Sequence, residues 1–178
     1  MTERYSKVAV ALHWLIALCI IAAILIAEVT EDWEGPSRGF AMMMHKSFGI
    51  SVLFLSVVRI FWRVTHRPPA MDPHLKVWEK GLAHLTHTLF YLLMIGMPIT
   101  GWIMSSAPVE PYPLTFFGLF DIPYLPLQGN RTAGDVANEG HEIAGKIMIV
   151  LTLRHSAGAL KHSIIDKRPS LSRMSFRG

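Results

Sequence analysis

Four apolar runs, at roughly 8–27, 41–62, 82–106 and 142–163, dominate this chain of 178 residues. Each is about the twenty residues needed to cross a hydrocarbon core as a helix. In lipid the backbone must satisfy its own hydrogen bonds, so a run of this kind has little choice but to be helical. The expected fold is therefore all-α: an integral membrane four-helix bundle, a single domain over 1–178, with a basic tail at 164–178. Residues are 51% hydrophobic and only 17% charged, which leaves no material for a soluble head. Arg4 and Lys7 precede the first run as they would in a secretory signal, but the run is longer than a signal's 7–15 residues and no A-x-A site follows it. Cys19 is the only cysteine, so no disulfide or covalent C-x-x-C-H attachment can form, and it reads as a small packing residue.

Charge alternates between the connections. Arg4 and Lys7 start the chain, and Arg63, Arg67, Lys76 and Lys80 follow the second run. The tail carries Lys161, Lys167, Arg168, Arg173 and Arg177. The first loop (Glu28, Glu31, Asp32, Glu34 against Arg38) and the third (Glu110, Asp121, Asp135, Glu139 against Arg131) are acidic. Counting Lys and Arg places both termini in the cytoplasm. The net charge of +4 is then explained by topology, and no nucleic-acid partner is expected. Pro68, Pro69 and Pro73 mark the inner connection. Pro108, Pro111, Pro113, Pro123 and Pro126 punctuate the third loop, roughly 107–140, whose aromatic stretch from Tyr112 to Tyr124 suits a lid at the membrane–water boundary.

Within the apolar runs lie histidines at two depths. His141 and His155 are fourteen residues apart, which on a helix returns to nearly one face, roughly 40° short of four turns, about 21 Å along the axis. His13 lies six residues inside Lys7 and His155 six inside Lys161, each roughly 9 Å from an inner-edge charge. His45 follows Arg38 by one to two turns, and His141 follows Glu139. A single buried histidine is as readily an interhelical hydrogen bond. Four at matched depths suggest an inner pair, His13 with His155, and an outer pair, His45 with His141, each holding the iron of a haem.

A porphyrin needs room, and small residues stand about one turn from each: Ala9 and Ala17, Ala41 and Gly49, Gly145, Gly158 and Ala159. His45 and His141 both open the pattern H-x-x-x-G. His84 and His87 are rivals on the third helix. Their neighbours Lys80, Thr88 and Tyr91 leave less space, so contacts to haem propionates or a quinone pocket are expected of them, with direct ligation by His87 the alternative. His162 is a candidate quinone or propionate contact. His66 and His74 fall in the loop and take no role. Arg59 and Arg63, one turn apart at the inner end of the second helix, either pair with propionates or snorkel to headgroups.

These residues resemble bacterial cytochrome b561 over about 4–168. The match runs through Tyr5-Ser6-Lys7, Leu12-His13-Trp14, His45 with Gly49, and Val58-Arg59 to Trp62-Arg63. It continues in Gly81-Leu82-Ala83-His84-Leu85-Thr86-His87, in His141-Glu142, and in His155 with Ala159-Leu160-Lys161-His162. The resemblance implies a multi-pass protein of the bacterial inner membrane with two haem b groups. It implies His13, His45, His141 and His155 as ligands, and electron exchange between membrane quinone and an outer-face partner. Some members of that family are proposed to oxidise superoxide, a quinone-linked oxidoreductase activity; Lys46 is placed to steer a small anion, although a lone interfacial lysine is the simpler reading. Arg154 departs from the pattern, standing where an apolar residue is expected; a propionate or quinone oxygen is one partner for it, headgroups the other. The expected function is thus a di-haem b transmembrane electron carrier. The alternatives are a membrane-anchor subunit of a larger oxidoreductase and, from another class, a haem-free metal transporter.

Overall fold

The computed structural model describes residues 4–71, 75–167 and 171–176; Pro73, His74, Arg168 and Arg177 lie outside the described residues. Four long helices run in order: α1 Lys7–Val29, α2 Gly35–Thr65, α3 Val77–Ser106 and α4 Arg131–Ile164. Each is long and apolar enough to span a membrane. Between α3 and α4 lies a two-stranded antiparallel hairpin, β1 Thr115–Phe116 and β2 Phe120–Asp121. A 3₁₀ turn at Ser172–Met174 ends the described chain.

Local chemistry sets the helix starts. The Ser6 side chain accepts from Ala9 N–H at 3.3 Å to begin α1, and the Asn130 side chain accepts from Ala133 N–H at 3.1 Å to begin α4. Pro36 occupies the first turn of α2, where its missing N–H costs nothing. Ahead of α3 the Glu79 carboxylate accepts from Lys76 N–H at 2.8 Å.

Packing runs from α1 to α2, α2 to α3 and α3 to α4, while α1 and α4 make at most glancing backbone contact. The same holds for α2 and α4, so a cleft opens between the α1–α2 pair and α4. At mid-height the bundle closes on an apolar waist of Ile16, Ile20, Val52, Met94 and Met148, with Cys19, Phe90 and Met97 packed against it. Cys19 is a free, half-buried packing residue. The outer surface is apolar too: Leu18, Phe54, Leu92 and Leu153 are exposed, as lipid contact requires.

Two ends result. At the lid end, residues 107–130 fold over α2 and α3. Ser47 of α2, fully buried, accepts from Phe117 N–H at 2.8 Å and lies 3.2 Å from the Thr115 carbonyl. Lys46 donates to the Pro113 carbonyl at 3.0 Å, and the Trp102 indole donates to Pro123 at 2.8 Å. At the terminal end, the Trp14 indole donates to the Met174 carbonyl at 2.9 Å and Arg173 to the Ala70 carbonyl at 2.6 Å, which ties the tail back onto the bundle.

Candidate functional site

The two histidine pairs expected from depth face each other across the cleft. At the lid end, the His45 and His141 ring centroids are 6.1 Å apart with the planes crossed at 70°. At the terminal end, His13 and His155 are 6.2 Å apart, crossed at 69°. Two imidazoles flanking one metal, each with a bond of about 2 Å, carry their centroids about 6 Å apart. Both pairs have that spacing, and the apolar waist separates them.

The lid-end pair is also set in the correct tautomer. His45 Nδ1 lies 2.9 Å from the Ala23 carbonyl. His141 Nδ1 lies 3.1 Å from the Met97 carbonyl and 2.9 Å from the Thr100 hydroxyl, which itself donates to Met97 at 2.7 Å. A carbonyl only accepts, so each Nδ1 carries the proton and each Nε2 keeps its lone pair for iron. Space is present as well: a Cβ placed on Gly49 or Gly158 would meet nothing within 4 Å, and one on Gly145 only the tip of Met97. Ligand spacing, tautomer and open room all fit a flat, bis-histidine-ligated ring.

The terminal-end cluster holds a third imidazole. The His87 ring is 5.8 Å from that of His155, crossed at 71°, and Phe90 packs on His155 at 5.3 Å. His87 is exposed, whereas His13 is half-buried and its pairing matches the lid-end pair in spacing and angle. His84, one turn nearer the end, is exposed. Arg59 turns inward: its Nη1 donates to the Ala9 carbonyl at 3.1 Å, one turn below His13, and its Nε points to the Tyr91 hydroxyl at 3.4 Å. Arg63 lies 6.0 Å over the Tyr91 ring.

His162 makes a contact that the motif alone did not reveal. Its Nδ1 is 2.7 Å from Asp166 Oδ2, and Lys161 Nζ is 3.1 Å from the same oxygen. Those hydrogen bonds, from Lys161 first and His162 second, hold the Asp166 carboxyl below its ordinary value. Arg154 is exposed, beside the half-buried His155 in sequence but on the outer side of α4. Lys46 anchors the lid, with Tyr112 5.7 Å away, as an interfacial lysine would. His66 stacks on Trp62 at 3.7 Å.

A family description, prokaryotic cytochrome b561, matches residues 4–177. The chain belongs to the prokaryotic cytochrome b561 family. Cytochrome b561 homolog 2 of Escherichia coli K12 is 33% identical over 97% of this chain and 91% of its own length. The probable superoxide oxidase CybB of Yersinia pestis is 28% identical over 98% of this chain and 97% of its own. Cytochrome b561 homolog 1 of Escherichia coli K12 is 25% identical, covering 98% of each. A member of the cytochrome b561 family is a membrane electron carrier, and membership implies binding of b-type haem.

Proposed function

We propose that the chain is a di-haem b electron carrier of the bacterial inner membrane, with both termini cytoplasmic, moving electrons between the quinone pool and a partner at the lid end. The observation that carries this reading is the repeated geometry of His45–His141 and His13–His155, on two sides of an apolar waist. Haem held by His45 with His141 and by His13 with His155 would supply one-electron chemistry. The chain's own groups do the rest. Ala23, Met97 and Thr100 orient the lid-end imidazoles. The waist between the levels is built of apolar side chains. Arg59 faces the terminal-end pair from one turn below His13 and offers its charge to a propionate. His162, poised by Asp166, is the candidate proton carrier for a quinone at the terminal end, with His87 and His84 nearer the cleft.

The name of the Yersinia relative supports superoxide as the lid-end partner. The transporter reading finds no support: among the described residues no group of three or more His, Cys, Asp or Glu side chains is placed to hold a metal ion. His141→Ala is expected to remove one haem of two and leave the other spectrally intact; retention of both would sink the pairing.

A further inference from the structure

A second concave site lies at the terminal end, outside the histidine cleft. A cavity of about 630 Å³ opens between the start of α1, the end of α2 and the flank of α3. Among the described residues its lining includes Arg4, Arg59, Arg63 and Arg67, and no carboxylate. The N-terminus of α1 enters the same space through Ser6 and Ala9, bringing the positive end of a 23-residue helix.

Arg59 and Arg63 are held by uncharged groups. Arg59 is held by a backbone carbonyl and a phenol, both uncharged, and Arg63 by the face of Tyr91. Among the described residues no carboxylate pairs with Arg59, Arg63 or Arg67. Guanidinium groups crowded at a membrane boundary repel one another, and an anion that enters between them removes that cost. Arg59 forms the floor, one turn from His13, and answers to the haem side. Arg63 and Arg67 form the exposed lip. Trp62, Pro69 and Tyr91 give the walls apolar surface. A cationic lip, a helix N-terminus and apolar walls between transmembrane helices match a phosphodiester with acyl chains attached.

We propose that this cavity binds the phosphate of an acidic phospholipid, held by Arg63, Arg67 and the α1 N-terminus. The site does not depend on the haem assignment, and its test reads lipid and haem separately. The holoprotein, Arg67→Gln and Arg63→Gln/Arg67→Gln are titrated with short-chain phosphatidylglycerol or phosphatidylcholine and read by native mass spectrometry, with haem counted per chain. Wild type is expected to prefer phosphatidylglycerol. The preference should fall about fivefold for one lost arginine and about thirtyfold for two, from the usual attraction per basic residue near a membrane, while Arg67→Gln keeps its haem. Equal binding of the two lipids, or undiminished binding in the double variant, overturns the site. Displacement of the lipid by inorganic phosphate assigns the cavity to the free ion instead. Loss of haem from the double variant with lipid binding unchanged makes it a propionate site, and the lipid proposal fails.

Discussion

At the scale of single residues, the terminal-end cluster poses the sharpest choice, because His13 and His87 both stand within ring distance of His155. His13→Ala is expected to lose the terminal-end haem, and His87→Ala to keep two haems per chain with at most a shifted potential. A pyridine haemochrome assay on both variants checks it, and the opposite pattern would move the ligand to α3. Asp166 gives a pH dependence with a definite sign. Its carboxyl sits below the ordinary 3.8 in the folded chain, so its contribution is complete above that value and is lost as pH falls through the lower one. Protection of the Ile165 and Asp166 amides, which bond the Lys161 carbonyl at 2.9 and 3.1 Å, should therefore drop only below about pH 4. Asp166→Asn should abolish that dependence in hydrogen exchange. The pairing of His13 with His155 and of His45 with His141 was legible from the chain because depth in a membrane is set by residue count. Their orienting partners were not, since Ala23 and Met97 act through backbone carbonyls that carry no side-chain signature. For Arg154 the sequence allows a propionate or quinone oxygen or the headgroups; it is exposed, and adjacent helical residues point about 100° apart, which turns it from the face of His155.

At the scale of elements, hydropathy located all four helices and set three starts late: α2 begins at Gly35 rather than near 41, α3 at Val77 rather than near 82, and α4 is furthest out. α4 begins at Arg131, not near 142, because its first turns are polar (Asp135, Glu139) and extend past the apolar span. The signals that mark this start are Gly129, at φ +77°, and the Asn130 cap. The lid was legible as a proline- and aromatic-rich segment, but two-residue strands are too short to leave a periodic pattern. What shapes the lid is Phe117, held in the left-handed region at φ +50° beside Gly118 at +71°. Such a conformation costs a non-glycine residue about 1–2 kcal/mol, and here the Ser47 hydroxyl and the Phe48 ring 5.3 Å away hold it. Ser47→Ala leaves the Phe117 N–H without its partner and should destabilise the lid by about 1–3 kcal/mol. Limited proteolysis should then cut within 107–130 faster than in wild type, with the terminal-end haem unaffected; an unchanged cleavage rate would show that Ser47 does not hold the lid.

At the scale of the whole molecule, the architecture places a histidine pair at each end of an apolar waist and keeps each end chemically distinct. The lid end has an ordered cover and the tautomer-setting hydrogen bonds. The terminal end has the third imidazole, the His162–Asp166 pair and the arginine-lined cavity. α1 supplies one imidazole, α2 another, and α4 one to each level, so α4 is the element that links the two pairs. The membrane fold and the family follow from span length and motif. Which end takes which partner depends on surfaces that only the folded chain assembles. The most direct test of the account is a dithionite-reduced minus oxidised visible spectrum of the detergent-purified protein, with haem counted per chain. The account predicts a b-type α band and two haems per chain. A well-folded preparation with no haem, or with one that survives both His141→Ala and His155→Ala, would contradict it.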